Sequence, residues 1–294
     1  GGDVNGVVGL APNPRSTTGL ALVRLVALRT VMVIVLAALA VAVVYPLLWM
    51  VFSGFKTNRE IFSSPWSLPT ELRWDNFVRA GNAGVISYFV NSIIVTAGSI
   101  VTTTLISAWA AFGLVRVKVP FSNLATGVIL GGLMMAPTVA LIPLFGLLQD
   151  LHIYDTLWAL IVLYTAFRIP FTTFLIRAYM VDMPVSIDEA AYIDGATHWQ
   201  IFWHVILPLC RPILVSAALL QALFAWNEFV FALVFISTRE NKTLPVGLVD
   251  MQSRLLTDWP VQFAGLTMAA LPMIVLFLIG QRHFLRGLTD GFGK

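Results

Sequence analysis

Two ionisable residues stand inside long apolar stretches: Arg168 in TAFRIPF and Glu228 in LLQALFAWNEFVFAL. A charge in a bilayer costs about 3 kcal/mol on insertion scales and faces a cavity or a polar partner. Gln221 and Asn227 share the stretch of Glu228, and Asn91 and Ser92 interrupt another apolar run, YFVNSIIVTAGS. On one continuous helix Gln221 and Glu228, seven residues apart, share a face, and Asn227 does not join them. Two readings fit. Asn91, Gln221, Asn227 and Glu228 line a path for a polar solute, or they hydrogen-bond between helices and hold them together. Arg168 lies near the end of its apolar run, where its long stem lets the charge snorkel out.

A second polar concentration is SIDEAAYIDGATHWQIFWHVILPLCRP, from Ser186 to Pro212, with Asp188, Glu189, Asp194, His198 and His204. Ser186/Glu189 and Thr197/Gln200 have the spacing of capping boxes, in which side chains satisfy the free amides of a new helix. Gly195 suits the left-handed residue that closes a helix. This reads as two short helices joined at Gly195 and lying off the bilayer. A polar loop between membrane helices is the other reading. None of this supports bond-making chemistry. The four histidines lack metal-ligand spacing with carboxylate or thiolate partners. No G-x-x-x-x-G-K-[ST] phosphate loop occurs, and no nucleophile–base set stands out. The lone Cys210 allows no intrachain disulfide and reads as a small apolar residue.

The elements that must position these residues follow from composition. The 294 residues are 58% hydrophobic and 11% charged, with a formal net charge of +3 and a mean hydropathy of +0.86. Soluble domains carry about 25% charged residues, so this is an integral membrane protein, and its apolar runs make it an all-α polytopic one. The small charge gives no reason to expect nucleic acid. A bilayer crossing takes about 20 apolar residues. Apolar stretches with few or no charges place six helices at about 23–53, 87–114, 123–148, 156–179, 209–237 and 261–281. A short interfacial helix is expected near Asp75–Arg79. Pro137 and Pro143 should kink the third helix, and Gly127/Gly131 form a G-x-x-x-G that permits close helix approach. Residues 1–22, rich in Gly, Pro and small polar groups, read as a disordered tail. Residues 23–281 form the membrane domain, with the polar segment 186–208 inside it, and 282–294 form a basic tail. Arg15, Arg24, Arg29, Arg116 and Lys118 put both termini and Ser186–Pro212 on the cytoplasmic side by the positive-inside rule.

EAAYIDGATHWQIFWHVILPLCRP closely resembles the EAA loop of the membrane permeases of bacterial ABC importers. Glu189, Ala190, Ala191, Asp194, Gly195, Ala196, Phe202, Pro208, Leu209 and Pro212 carry the match. FKTNREIFSSPWSLPTELRWDNF, NSIIVT, WNEFVFAL and GLTDGFGK resemble the carbohydrate-uptake branch, similar to the second permease of the maltose importer. The resemblance spans about Leu25 to Lys294. It implies the type I importer permease fold in a bacterial cytoplasmic membrane. It also implies that Glu189, Ala190, Ala191, Asp194, Gly195 and Ala196 contact a cytoplasmic ATPase. Thr243, Leu244, Pro245, Val246 and Gly247, in the 238–260 loop, would meet an external solute-binding protein. Further implied partners are a second homologous permease, two ATPase subunits, membrane lipid and a sugar or oligosaccharide. ATP and magnesium would sit on the ATPases, with no cofactor or metal on this chain. Glycerol phosphate esters are the alternative solutes. A secondary transporter would need more buried carboxylates and internal repeats, and an intramembrane enzyme would need a catalytic set.

Overall fold

The computed structural model describes residues 14–117, 119–254 and 258–292, and side chains over 24–117, 119–252 and 258–281. Among the described residues there is no β-strand. Helices are the expected solution in lipid, because each closes its own backbone hydrogen bonds where no water is available.

The first helix, α1 (Pro14–Ser53), belongs up to Phe52 to a unit of its own. It starts earlier than the expected boundary at residue 23. The expected tail thus includes helical residues 14–22, and residues 1–13 lie outside the described part. Its apolar side chains, Leu25 and Ile34 among them, are exposed, as suits a span in lipid.

The second unit begins with a folded connection. Helix α2 (Asn58–Ser63) is opened by a capping box: Thr57 Oγ1 accepts from the Glu60 amide, and the Glu60 carboxylate accepts from the Thr57 amide. The buried Lys56 Nζ donates to the Ser64 and Pro65 carbonyls at 3.3 and 3.0 Å. Asn76, in α3 (Asp75–Ala80), ties the connection down by donating to the Gly54 and Lys56 carbonyls at 2.9 and 3.0 Å. A short helix thus forms where the sequence put one, and it leads straight into the next apolar segment.

Among the described residues four continuous segments are long and apolar enough to cross a membrane: Arg24–Ser53, Asp75–Val117, Leu157–Val181 and Trp259–Gln281. The middle two contain α4 (Ile86–Phe112) and α7 (Leu157–Val181), which pack along each other, and α7 is capped by Thr156. The third expected span is broken rather than kinked. Its halves α5 (Ser122–Gly132) and α6 (Leu141–Asp150) enclose a turn and a short 3₁₀ segment, Pro137–Ala140, and bend by 90°. Pro137 lacks the amide that would continue a helix. A Cβ at Gly127 or Gly131 would meet nothing within 4 Å, whereas Gly132 lies against Pro170.

Between α7 and the fifth span lie α8 (Ser186–Ile193), α9 (His198–Ile201) and α10 (Leu207–Leu209), with one π-helical turn, Phe202–Ile206, between the last two. The chain bends by 77° between His198–Leu209 and α11 (Arg211–Asn227). The fifth span is also interrupted. It stops at Asn227 and resumes as α12 (Val230–Phe235), because Glu228 is extended at ψ 128°. Helix α13 (Leu244–Arg254) follows, and α14 (Trp259–Phe292) continues past the expected end at 281.

Candidate functional site

The interruption at Glu228 gives that residue its surroundings. Its carboxylate accepts from the Phe231 and Ala232 amides at 2.9 and 3.3 Å, so it caps α12, and from the Tyr164 hydroxyl at 2.8 Å. Free amides at a helix start favour a carboxylate. Gln221 is fully buried, on the other side of Phe224 along α11. Its Oε1 accepts from Arg168 Nε at 3.2 Å. The expected common face of Gln221 and Glu228 does not form, because the helix that would have carried both ends between them. Arg168 does not snorkel away either. Its guanidinium lies over the Phe171 and Phe224 rings, 4.6 and 5.0 Å from their centroids. Gln221, Arg168, Phe224, Tyr164 and Glu228 thus form a polar and aromatic lane between α7 and α11. Asn227 is exposed and bonds its own Leu223 carbonyl at 2.8 Å.

Asn91 lies apart from that lane. Its amide donates to the Glu240 and Lys242 carbonyls at 2.6 and 3.0 Å, and Ser92 Oγ accepts from the Leu244 amide at 2.8 Å. Asp155, left-handed at φ 58°, holds the same segment from the other side. Its carboxylate accepts from the Ser237 amide at 2.8 Å and from the Thr238 amide and hydroxyl. Burial raises the Asp155 pKa, but these donors outweigh it and hold the carboxyl below its ordinary value. Thr243, Leu244, Val246 and Gly247 are buried within the chain, and Pro245 is half-buried. Gly247 is required by closeness: a Cβ there would lie 2.6 Å from Tyr88 Cε2 and closer to two other ring atoms. Tyr88 is itself fixed, its hydroxyl accepting from Arg239 Nε at 3.0 Å.

In the EAA-like segment, Glu189, Ala190, Asp194 and Gly195 are exposed, and Ala191 and Ala196 are half-buried. Gly195 takes φ +80°, closing α8 as its residue type requires. The Thr197/Gln200 box forms and opens α9. The Ser186/Glu189 box does not. The Val185 carbonyl already accepts from the Asp188 and Glu189 amides, so the amide that the Ser186 hydroxyl would cap is taken. One face of the segment is exposed, with Ile193 86% accessible. The other packs into a cluster of Phe112, Ile176, Met180, Ile201, Phe202, Ile206 and Ile213, which joins it to α4, α7 and α11. Trp109 of α4 meets the Phe202 and Trp199 rings edge-on at 4.6 and 5.1 Å.

Sequence reasoning missed the polar anchor under this segment. Asp188 is buried and pairs with Arg116 at 3.0 Å. Burial pushes the Asp188 carboxyl above its ordinary pKa, and Arg116 opposes that shift. The only hint was the acidic pair Asp188–Glu189, one member of which must face inward on a half-buried helix. Among the described residues no group of three or more His, Cys, Asp or Glu could hold a metal ion.

The segment Ser186–Leu209 is thus exposed on one face, packed on the other, and bent by 77° from α11 where its last part, His198–Leu209, meets that helix. Residues 103–289 match the family described as the inner membrane component of binding-protein-dependent transport systems. The probable ABC transporter permease YurM of Bacillus subtilis (strain 168) is 48% identical over 254 residues, covering 86% of this chain and 85% of that one. The diacetylchitobiose uptake permease NgcG of Streptomyces coelicolor is 32% identical over 255 residues, 86% of this chain and 84% of its own. A chain in the crystal structure of a bacterial ABC transporter that imports the acidic polysaccharide alginate superposes with a TM-score of 0.78 at 23% identity. The match covers 88% of this chain and 96% of that chain. The chain belongs to the family of membrane permeases of binding-protein-dependent ABC transporters. It is a multi-pass transport subunit with the ABC importer permease fold.

Proposed function

We propose that this subunit imports a sugar or oligosaccharide, with Ser186–Leu209 as its coupling segment to ATPase partners. The observation that carries the coupling role is the arm's two-faced burial. Glu189, Ala190, Ile193, Asp194 and Gly195 are exposed, while the opposite face is locked to α4 and α7. A partner pushing on the exposed face would move membrane helices, since coupling needs an element with discrete positions. Glu189 and Asp194 would supply polar contact, and Gly195 the bend. Ala190, Ala191 and Ala196 would allow close approach.

The partners in this reading are two ATPases, which hold ATP and magnesium, a second homologous permease and an external solute-binding protein. Both termini and the arm would face the cytoplasm. The segment 237–254 would face the binding protein, with Thr243–Gly247 reaching it only after rearrangement. Relatives named for oligosaccharide uptake support the sugar reading. The lane of Gln221, Arg168, Phe224, Tyr164 and Glu228 would supply hydrogen bonds and ring faces to a polyol, with the exposed Asn227 next to it in sequence, while Asn91 would reach the path only if its bonds to the 240–242 backbone opened. Melting of the cognate binding protein, scanned with neutral saccharides and glycerol phosphate esters, tests the substrate class. A shift with a saccharide is expected, and a shift with the phosphate esters alone would overturn that reading.

A further inference from the structure

Arg116 sits in a single π-helical turn, Gly113–Val117, at the end of α4. Its side chain and that of Asp188 are 4% and 6% exposed, and Nη1 meets Asp188 Oδ2 at 3.0 Å. The other terminal nitrogen, Nη2, donates to the Met180 and Met183 carbonyls, each at 3.0 Å. The Met180 carbonyl lies in the last turn of α7, where it also accepts the Met183 amide, and the Met183 carbonyl lies just beyond the helix. One side chain thus joins the ends of α4 and α7 to the first helix of the arm.

Stability alone is a poor account of this pair. Burying two charges costs desolvation that their attraction often fails to recover. Here Arg116 Nε and Asp188 Oδ1 also have no hydrogen-bond partner among the described residues. What such pairs do well is fix register. The surrounding apolar cluster, with Phe112, Met180, Phe202 and Cys210, keeps the local dielectric low, which strengthens the directional contacts that are made.

We infer that Arg116 is a positioning residue that clamps α8 to the ends of α4 and α7. Displacement of the arm then moves both spans as one body instead of flexing the Asp182–Val185 connection. This rests on the coupling role proposed for Ser186–Leu209, and the test separates the two. In the whole importer, reconstituted with its partners, Asp188→Asn and Arg116→Gln are expected to leave ATPase subunits bound. ATP consumed per solute moved should rise roughly fivefold or more, the low end of usual coupling factors. The double variant should lose no more than either single one, because both break one unit. Glu189→Arg is the control. If it uncouples transport while the Arg116 and Asp188 variants keep the wild-type ratio, only the clamp fails. If it too leaves the ratio unchanged, the coupling reading fails.

Spin labels at Leu105→Cys and Ile193→Cys, in a Cys210→Ala background, add a readout of the intact pair as well as of the broken one. Their distance is expected to stay the same with and without ATP when the clamp is intact, and to broaden in Asp188→Asn. A distance that changes with ATP in the intact clamp, or that Asp188→Asn leaves unchanged, overturns the inference.

Discussion

Gly247→Ala should unlock the segment that follows α12. The new methyl would lie 2.6 Å from Tyr88 Cε2 and nearer still to Cγ and Cδ2. Carbon atoms sit at about 3.5 Å or more in good contact, so ring or helix must retreat by about 1 Å. Neither is free to do so. Tyr88 is 1% exposed. Its hydroxyl holds Arg239 at 3.0 Å, and Arg239 holds the Ala83 carbonyl at 2.6 Å. Overpacking of this severity costs about 3 kcal/mol, the upper end of the usual range. That is about a 100-fold rise in the open population. Hydrogen exchange across residues 237–247 should therefore accelerate by about that factor if opening precedes exchange. Tyr88→Ala vacates the space, so adding Gly247→Ala to it should cost nothing more. Unchanged protection in the single variant, or an equal loss in both backgrounds, would refute the close-packing argument.

Three further outcomes follow from the same geometry. The Glu60 carboxyl is held down to about 2 from its ordinary 4.5, first by the Thr70 hydroxyl and then by the Thr57 amide. Its contribution to the 57–70 connection is complete above pH 4.5 and is lost as pH falls through about 2. Thr70→Val should raise that titration toward 4.5, read by carboxyl NMR shifts. Glu228→Ala removes the cap of α12 and orphans the Tyr164 hydroxyl, and should cost about 2 kcal/mol in thermal unfolding. Gly195→Ala meets no neighbour within 4 Å, so its cost should be the backbone strain of φ +80°, about 1 kcal/mol. Gly195→Asn should cost less in the same melting assay.

Much of the helix plan was legible because a bilayer excludes charge. Long apolar runs with few charges mark α1, α4, α7 and α14 directly. The breaks were hidden because apolar composition continues across them. Nothing in FAWNEFVFAL says that the helix stops at Asn227 and that Glu228 restarts it. That follows from Tyr164 and from the local amides, and the first of these is a contact between distant parts of the chain. The Thr197 box and the Gly195 turn were legible because both are local chemistry. The Ser186 box was a false signal, since its amides found the Val185 carbonyl first. The Arg116–Asp188 clamp joins residues 72 apart, and sequence periodicity carries no information about such a meeting.

Uptake into proteoliposomes holding this chain, its partner permease and the ATPases, with the solute-binding protein added outside, tests the central claim most directly. Saccharide should accumulate only when ATP is supplied to the ATPase side, and Glu189→Arg should abolish accumulation while the complex stays assembled. Accumulation without ATP, driven by a proton or sodium gradient, would contradict the account.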